Sequence, residues 1–350
     1  RLTITRHQYC PTLAMDQEIY PAGKPKEQDR IPEGKPTPIP GNAVTEDRLP
    51  GLAPSGPSRF GRLKSQKWLV FALMGLAGGA TGAILAAVTP RIGNDKPWQL
   101  ILEQGIWTAL AAGILTGSLF LANETYARRQ LRPKIFCRGL LAGLIGGFIS
   151  GAVAQLLFGL GLGASEFTER LLQVFCWGIM GALLGIFLSK AMPNFGPIKG
   201  CAGGFAGGFV GGGCFLAAGT LLQYLLPNTG TDLANRLSAL FAQIIGMGIL
   251  GAALGLIMVI VESLFREASL EVVWGPNEST YLNLGAEPIH IGGGKNDQIY
   301  VRGLGERHSH VVLTGGAIEY VDAESQKRTA LKNGSTLQIG PLNLVVHAAA

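Results

Sequence analysis

Glycine recurs at Gly139, Gly143, Gly147 and Gly151, inside an otherwise apolar run. Residues four apart share one face of a helix, so this spacing makes a smooth strip flanked by Leu, Ile and Phe. In water such a helix is poor, each Gly being about 1 kcal/mol worse than Ala. In a bilayer the unpaired backbone is so costly that the helix is enforced. The glycines then let a second helix approach closely. The strip returns 61 residues later as Gly200, Gly204, Gly208 and Gly212, and stands 68 residues before Gly143 in a weaker form as Gly75, Gly79 and Ala83. A membrane-embedded repeat is the expectation.

The rest of the chain divides around it. Of 350 residues, 15% are charged and 47% hydrophobic, and these averages mix three unlike regions. Residues 1–66 are polar and proline-rich, a composition that cannot bury a core; they read as a disordered cytoplasmic tail, with Thr37 and Thr45 as candidate phosphate acceptors. Residues 67–264 are apolar and glycine-rich, and residues 268–350 read as strands and turns. The apolar region holds six segments near Trp68–Val88, Ile101–Ala122, Gly139–Leu160, Leu171–Leu188, Cys201–Leu226 and Leu240–Val261. Each matches the length that spans a ~30 Å hydrocarbon core, the fourth being the shortest. Trp68, Trp98, Trp177 and Tyr224 lie near segment ends and partly match an aromatic belt.

The segments pair into three hairpins. The first helix of each carries the glycine strip and the second carries its own pair: Gly113 and Gly117, Gly181 and Gly185, Gly251 and Gly255. From Gly78, Gly146 and Gly207 to these pairs the spacing is 35, 35 and 44 residues, the third repeat having a longer loop around Pro227–Ala234. Matching offsets in both helices of a pair form a repeat signal. Basic residues gather on one side of the spans: Arg59, Arg62, Lys64 and Lys67, then Arg128, Arg129, Arg132, Lys134 and Arg138, then Lys190, Lys199 and Arg266. The positive-inside rule makes that side cytoplasmic. A multi-pass inner (plasma) membrane protein with both termini in the cytoplasm follows. The net charge of +6 is accounted for by this placement, so no nucleic-acid partner is expected.

Charges within the spans are scarce, whereas transport sites and proton relays use intramembrane ionisable groups. The polar candidates are Gln155, Gln173 and Gln243, with Glu103 near an end; the Gln residues serve either as interhelical hydrogen bonds worth about 1 kcal/mol or as a pore lining. The cysteines follow no metal or disulfide spacing. Cys137, Cys176, Cys201 and Cys214 sit in apolar helices, where Cys is a small hydrophobe. No nucleophile, carboxylate pair or metal cluster stands out, so neither an enzyme nor a cofactor is expected.

After Glu262 the apolar runs shorten and become β-branched. Strands are expected at Leu270–Trp274, Thr280–Leu284, Pro288–Ile291, Gln298–Val301, His310–Leu313, Ala317–Asp322, Thr336–Ile339 and Leu342–His347, with Gly, Asn and Pro turns between them. Short strands with regular turns argue for a β-sandwich. Ile289-His290-Ile291-Gly292-Gly293 followed by Asn296-Asp297-Gln298-Ile299, then Arg307-His308-Ser309-His310, then the glycine hairpin Leu331–Gly340, resemble a forkhead-associated (FHA) domain over about 268–348. That family binds phosphothreonine peptides in loops at one end of the sandwich. The resemblance implies a phosphopeptide-binding set of Gly292, Lys295, Arg307, His308 and His310, with Lys327 as a further positive charge. Gly293 stands where the family's first Arg would be, Arg307 where its Ser would be and His308 where a second Arg often lies; the Asn-Gly-Thr loop is shortened between Asp322 and Ala330. These departures predict altered or lost phosphopeptide binding. His308 and His310 alternate on one strand face but lack the third ligand that a metal site uses.

Two function classes stay open. One is a membrane-anchored scaffold whose FHA-like domain recruits a protein partner, phosphorylation-linked or not. The other is a channel or permease regulated by that domain. A hydrated path lined by the Gln residues favours the second, and a dry bundle favours the first.

Overall fold

The computed structural model describes residues 66–89, 96–129, 132–160, 165–225, 232–275 and 278–348. The tail with Thr37 and Thr45, the basic residues Arg59, Arg62 and Lys64, and most of the Pro227–Ala234 loop lie outside the described residues. Among the described residues six helices precede the strands: α1 (Lys67–Ala87), α2 (Pro97–Tyr126), α3 (Pro133–Gly159), α4 (Glu166–Ser189), α5 (Pro197–Leu225) and α6 (Asp232–Leu264). All six are long and apolar enough to cross a membrane, which indicates a multi-pass membrane protein. They outrun the apolar segments because polar ends carry helix signals. Pro97, Pro133 and Pro197 open α2, α3 and α5, where a missing N–H costs nothing. At α4, Ser165 and Thr168 form a capping box. This polar first turn makes α4 24 residues long, so α1, with 21, is the shorter helix.

Each helix packs on the next, and α6 returns to pack on α1. The ring is therefore closed. Its tightest contacts lie between repeats, not within hairpins. A Cβ at Gly143 would strike the carbonyl of Ala112 and the Cα of Gly113, at Gly204 the carbonyl of Gly181, and at Gly75 the carbonyl of Gly251. These are equivalent positions of the three repeats, each meeting the second helix of the preceding one. The neighbouring glycines Gly78, Gly146 and Gly207 face the other way, onto Leu115 and Ser118, Leu184, and Leu254 of their own hairpins. The double glycine thus serves two partners. Trp68, Trp98 and Tyr224 are exposed at the ring's outer ends. Trp177 is not part of that belt: it is 8% exposed and packs on Phe215 at 5.5 Å, in a seat left open by Gly208 and Gly212.

Among the described residues nine strands follow: β1 (Ala268–Gly275), β2 (Glu278–Leu284), β3 (Ile289–Gly292), β4 (Ile299–Tyr300), β5 (Ser309–Thr314), β6 (Ala317–Asp322), β7 (Arg328–Leu331), β8 (Thr336–Ile339) and β9 (Leu342–Ala348). They form two sheets, β2-β1-β9-β8 and β4-β3-β5-β6-β7. Pairing is antiparallel except between β3 and β4. Leu270, Val272, Leu344 and Val346 from one sheet and Ile289, Ile291, Val311 and Ile318 from the other share one core. β7 was not expected. Its residues are exposed apart from half-buried Leu331, so it carries no alternating apolar signal; pairing with β6 makes it a strand.

The β region is bound to one end of the ring by polar contacts. Glu262, 2% exposed, takes Lys67 Nζ at 2.5 Å and Asn283 Nδ2 at 2.9 Å on the same oxygen. Tyr126 accepts from the Tyr281 N–H at 2.8 Å. Arg128 bridges to Glu278 at 2.7 Å and covers the Trp274 ring. Asn194, at a φ of 58°, donates to the carbonyls of Asn283 and Glu287 and accepts from the Glu287 N–H.

Candidate functional site

The Gln residues converge at the opposite end of the ring, where α2, α4 and α6 begin. Three hollows of about 410, 620 and 490 Å³ adjoin there through Gln173, which lines all of them. Gln155 lines the first and Gln243 the other two. Gln104 and Glu103 join them, Glu103 as the carboxylate expected near a segment end and Gln104 as a residue that sequence reasoning missed. At the repeat position of Gln173 and Gln243 the first repeat has Gly105, so Gln104 falls one residue out of register. Glu103 Oε2 is buried without a partner, and the 620 Å³ hollow also holds Arg236. Amides offer donors and acceptors together, so this end suits water or a polar solute.

The hollows stop partway along the axis. Their deepest lining residues are Thr108, Ser150, Met180 and Trp177. Beyond them Leu115, Leu119, Leu184, Leu188, Leu250 and Leu254 are each no more than 2% exposed and share one cluster. Polar side chains there close onto carbonyls: Thr108 Oγ1 donates to Gly147 O at 2.8 Å and Ser150 Oγ to the same oxygen at 3.0 Å. The axis is an apolar plug, and the polar hollow is a blind vestibule.

In the β region, three of the quoted motif segments meet. Asp297, 2% exposed, accepts from the Gly294 N–H at 2.8 Å and the Arg307 N–H at 3.1 Å on one oxygen. Gly292 sits against the Gly305 carbonyl and the Arg307 nitrogen, leaving no room for a Cβ. Arg307 adopts a left-handed φ of 49° with an exposed side chain, and Lys295 is also exposed. The Asn296–Gln298 loop touches the ring: Arg129 Nε donates to Gln298 O at 3.1 Å and Arg132 to Asn296 Oδ1 at 3.3 Å. His308 precedes β5, and His310 is paired across strands with His290, ring centres 5.5 Å apart. Burial, with His290 and Arg328 nearby, lowers the His310 pKa below its ordinary 6.5. Among the described residues no three His, Cys, Asp or Glu side chains group as metal ligands. Comparison with known families, with characterised proteins and with solved structures finds no match.

Proposed function

We propose that this chain is a membrane-anchored interaction protein, its ring embedded in the bilayer and its β region, an FHA-like sandwich on the cytoplasmic side, recruiting a protein partner. The observation that carries this reading is the plugged axis: fully buried leucines occupy the place where a conducting path would run. Further support comes from the polar seam, which ties the β region to the ring at separate points at the end of α2, on α6 and on the α4–α5 connection. A platform held this way orients whatever it binds relative to the membrane. The partner surface is assigned to the loops carrying Lys295, Arg307 and His308, with a phosphothreonine peptide as the ligand class the resemblance implies. The positive-inside distribution supports the orientation, since Arg128, Arg129, Arg132, Lys190, Lys199 and Arg266 cluster at the end that carries the β region.

A second reading, a channel or permease, is favoured by the vestibule of Gln104, Gln155, Gln173 and Gln243. Solute flux through proteoliposomes of the full chain separates the two. The interaction reading expects no flux above protein-free vesicles; substantial flux that is lost in Gln173→Leu/Gln243→Leu overturns it. Fluorescence anisotropy of paired threonine and phosphothreonine peptides on the full chain then reports the ligand. Weak binding is expected, because the family's first Arg is replaced by Gly293. Tight, Arg307-dependent binding would show that the departures leave the phosphate site working.

A further inference from the structure

A cleft of about 820 Å³ opens where the ring meets the β region. Five cations line it, Arg129, Arg138, Lys190, Lys199 and Arg266, against two carboxylates, Glu267 and Glu287. Glu124, outside the lining, offsets Arg129, which leaves an excess of two positive charges. Arg129 donates from Nη1 to Glu124 at 3.1 Å and from Nε to Gln298 O, but its Nη2 is buried with no partner. An unpaired donor on a buried charged group is costly, so this nitrogen is poised for an acceptor. Arg138 and Lys190 are exposed, and neither makes a hydrogen bond or ion pair among the described residues; Lys190 lies over the Phe187 ring. Lys199 reaches Glu267 only at 3.9 Å. Gly196 and Pro197, at the start of α5, form part of the wall, and the leading end of a helix adds partial positive charge and free N–H groups.

The cleft lies at the end of the membrane-spanning helices. Apolar side chains stand at its edge with their surface uncovered: Ile198 is 83% exposed and Phe265 53%. A cationic pocket with an apolar border at this level matches the head and upper chains of an acidic lipid, and basic pockets between helices are where such head groups lodge. The polar seam described above fixes the walls from both sides, so the site exists before its ligand arrives.

We propose that this cleft binds a phosphate-bearing anion at the membrane surface, its phosphate held against Arg129 Nη2, Arg138, Lys190 and the start of α5. The same chemistry is offered by an anionic phospholipid head group and by a soluble phosphate compound. The full chain in detergent is tested with phosphatidylglycerol against phosphatidylcholine by native mass spectrometry, and with inorganic pyrophosphate by calorimetry. The expected result is retention of phosphatidylglycerol over phosphatidylcholine, binding of pyrophosphate, or both; the first alone names a lipid source and the second alone a soluble one. Arg138→Gln/Lys190→Gln lowers that retention or affinity at least tenfold, two charge-assisted contacts being removed. Lys134→Gln, an exposed cation of α3 outside the cleft, changes it twofold at most. Lys190→Glu alone provides the same readout if the double variant does not fold. Absence of both anions, or an equal loss in Lys134→Gln, overturns the proposal, the latter because it would reveal only diffuse surface charge.

Discussion

Adding a methyl group at two glycines of α5 should have opposite effects. At Gly204 an added Cβ would stand 2.8 Å from the Gly181 carbonyl carbon and 3.0 Å from the Gly185 Cα. Carbon atoms pack at about 3.5–4.0 Å, so α4 and α5 must part by roughly 1 Å. The obstructing atoms are backbone and cannot swing aside. A gap of that size forfeits a quarter to a half of each neighbouring contact, and such overpacking costs about 1–3 kcal/mol. Helix propensity returns at most about 1 kcal/mol. Gly204→Ala should therefore destabilise by about 1–2 kcal/mol, which for a domain of this class lowers the melting temperature by roughly 2–8 °C. At Gly213 an added Cβ meets nothing within 4 Å, so Gly213→Ala should be neutral or stabilising by up to about 1 kcal/mol. Thermal unfolding of both variants in one detergent compares them directly. If Gly204→Ala melts with or above Gly213→Ala, the close approach of α4 and α5 is not what the glycines serve.

Two other outcomes follow from the seam and the β region. Lys67→Met leaves the Glu262 carboxylate buried with Asn283 as its remaining donor, and removing one partner of a buried pair costs about 3–5 kcal/mol; adding Glu262→Leu should recover much of this, and a double variant no better than the single would show that the pair is not coupled. For His310, the folded-state pKa lies below the ordinary 6.5, so the unfolded chain binds more protons as pH falls past 6.5 and stability declines toward acid. Melting of the full chain between about pH 7.5 and 5.5 should slope less in His310→Gln, and parallel slopes would remove His310 from the account.

Much of the ring was legible because its signals are periodic. Glycines four apart and apolar runs of bilayer length specify helices, and the recurrence of a glycine pair 35, 35 and 44 residues after each double glycine marks three repeats. Which surfaces meet was not legible. Hairpin connectivity suggests that the ladder packs on its own second helix, yet Gly147 meets Thr108, Ala109 and Ala112 of the preceding repeat, and Gly146 takes the hairpin contact. Two adjacent glycines point to different faces, and sequence alone does not say which face has which neighbour. Gln173 and Gln243 were readable as equivalents, whereas Gln104, shifted by one residue, was not. The Lys67–Glu262 pair joins residues 195 apart, with no local pattern to announce it. In the β region alternation located every strand with a buried face. It failed at β7, where Arg328, Thr329 and Ala330 are exposed and the strand exists only through its neighbour. The motif residues Gly292, Asp297 and Arg307 were readable as a set, but their convergence on a single carboxylate oxygen required the fold.

The return of α6 onto α1 fixes how many hairpins this architecture can hold. An open array of repeats exposes an unfinished surface at each end, which needs a cap and can accept another copy. Here the face that α1 would otherwise leave bare is filled by Gly251 and Gly255. A fourth hairpin would have to break an existing contact before it could make a new one, because the described ladder glycines of all three repeats already face a neighbouring helix. The same closure brings the first and last helices side by side, which is how Lys67 at the start of α1 reaches Glu262 near the end of α6.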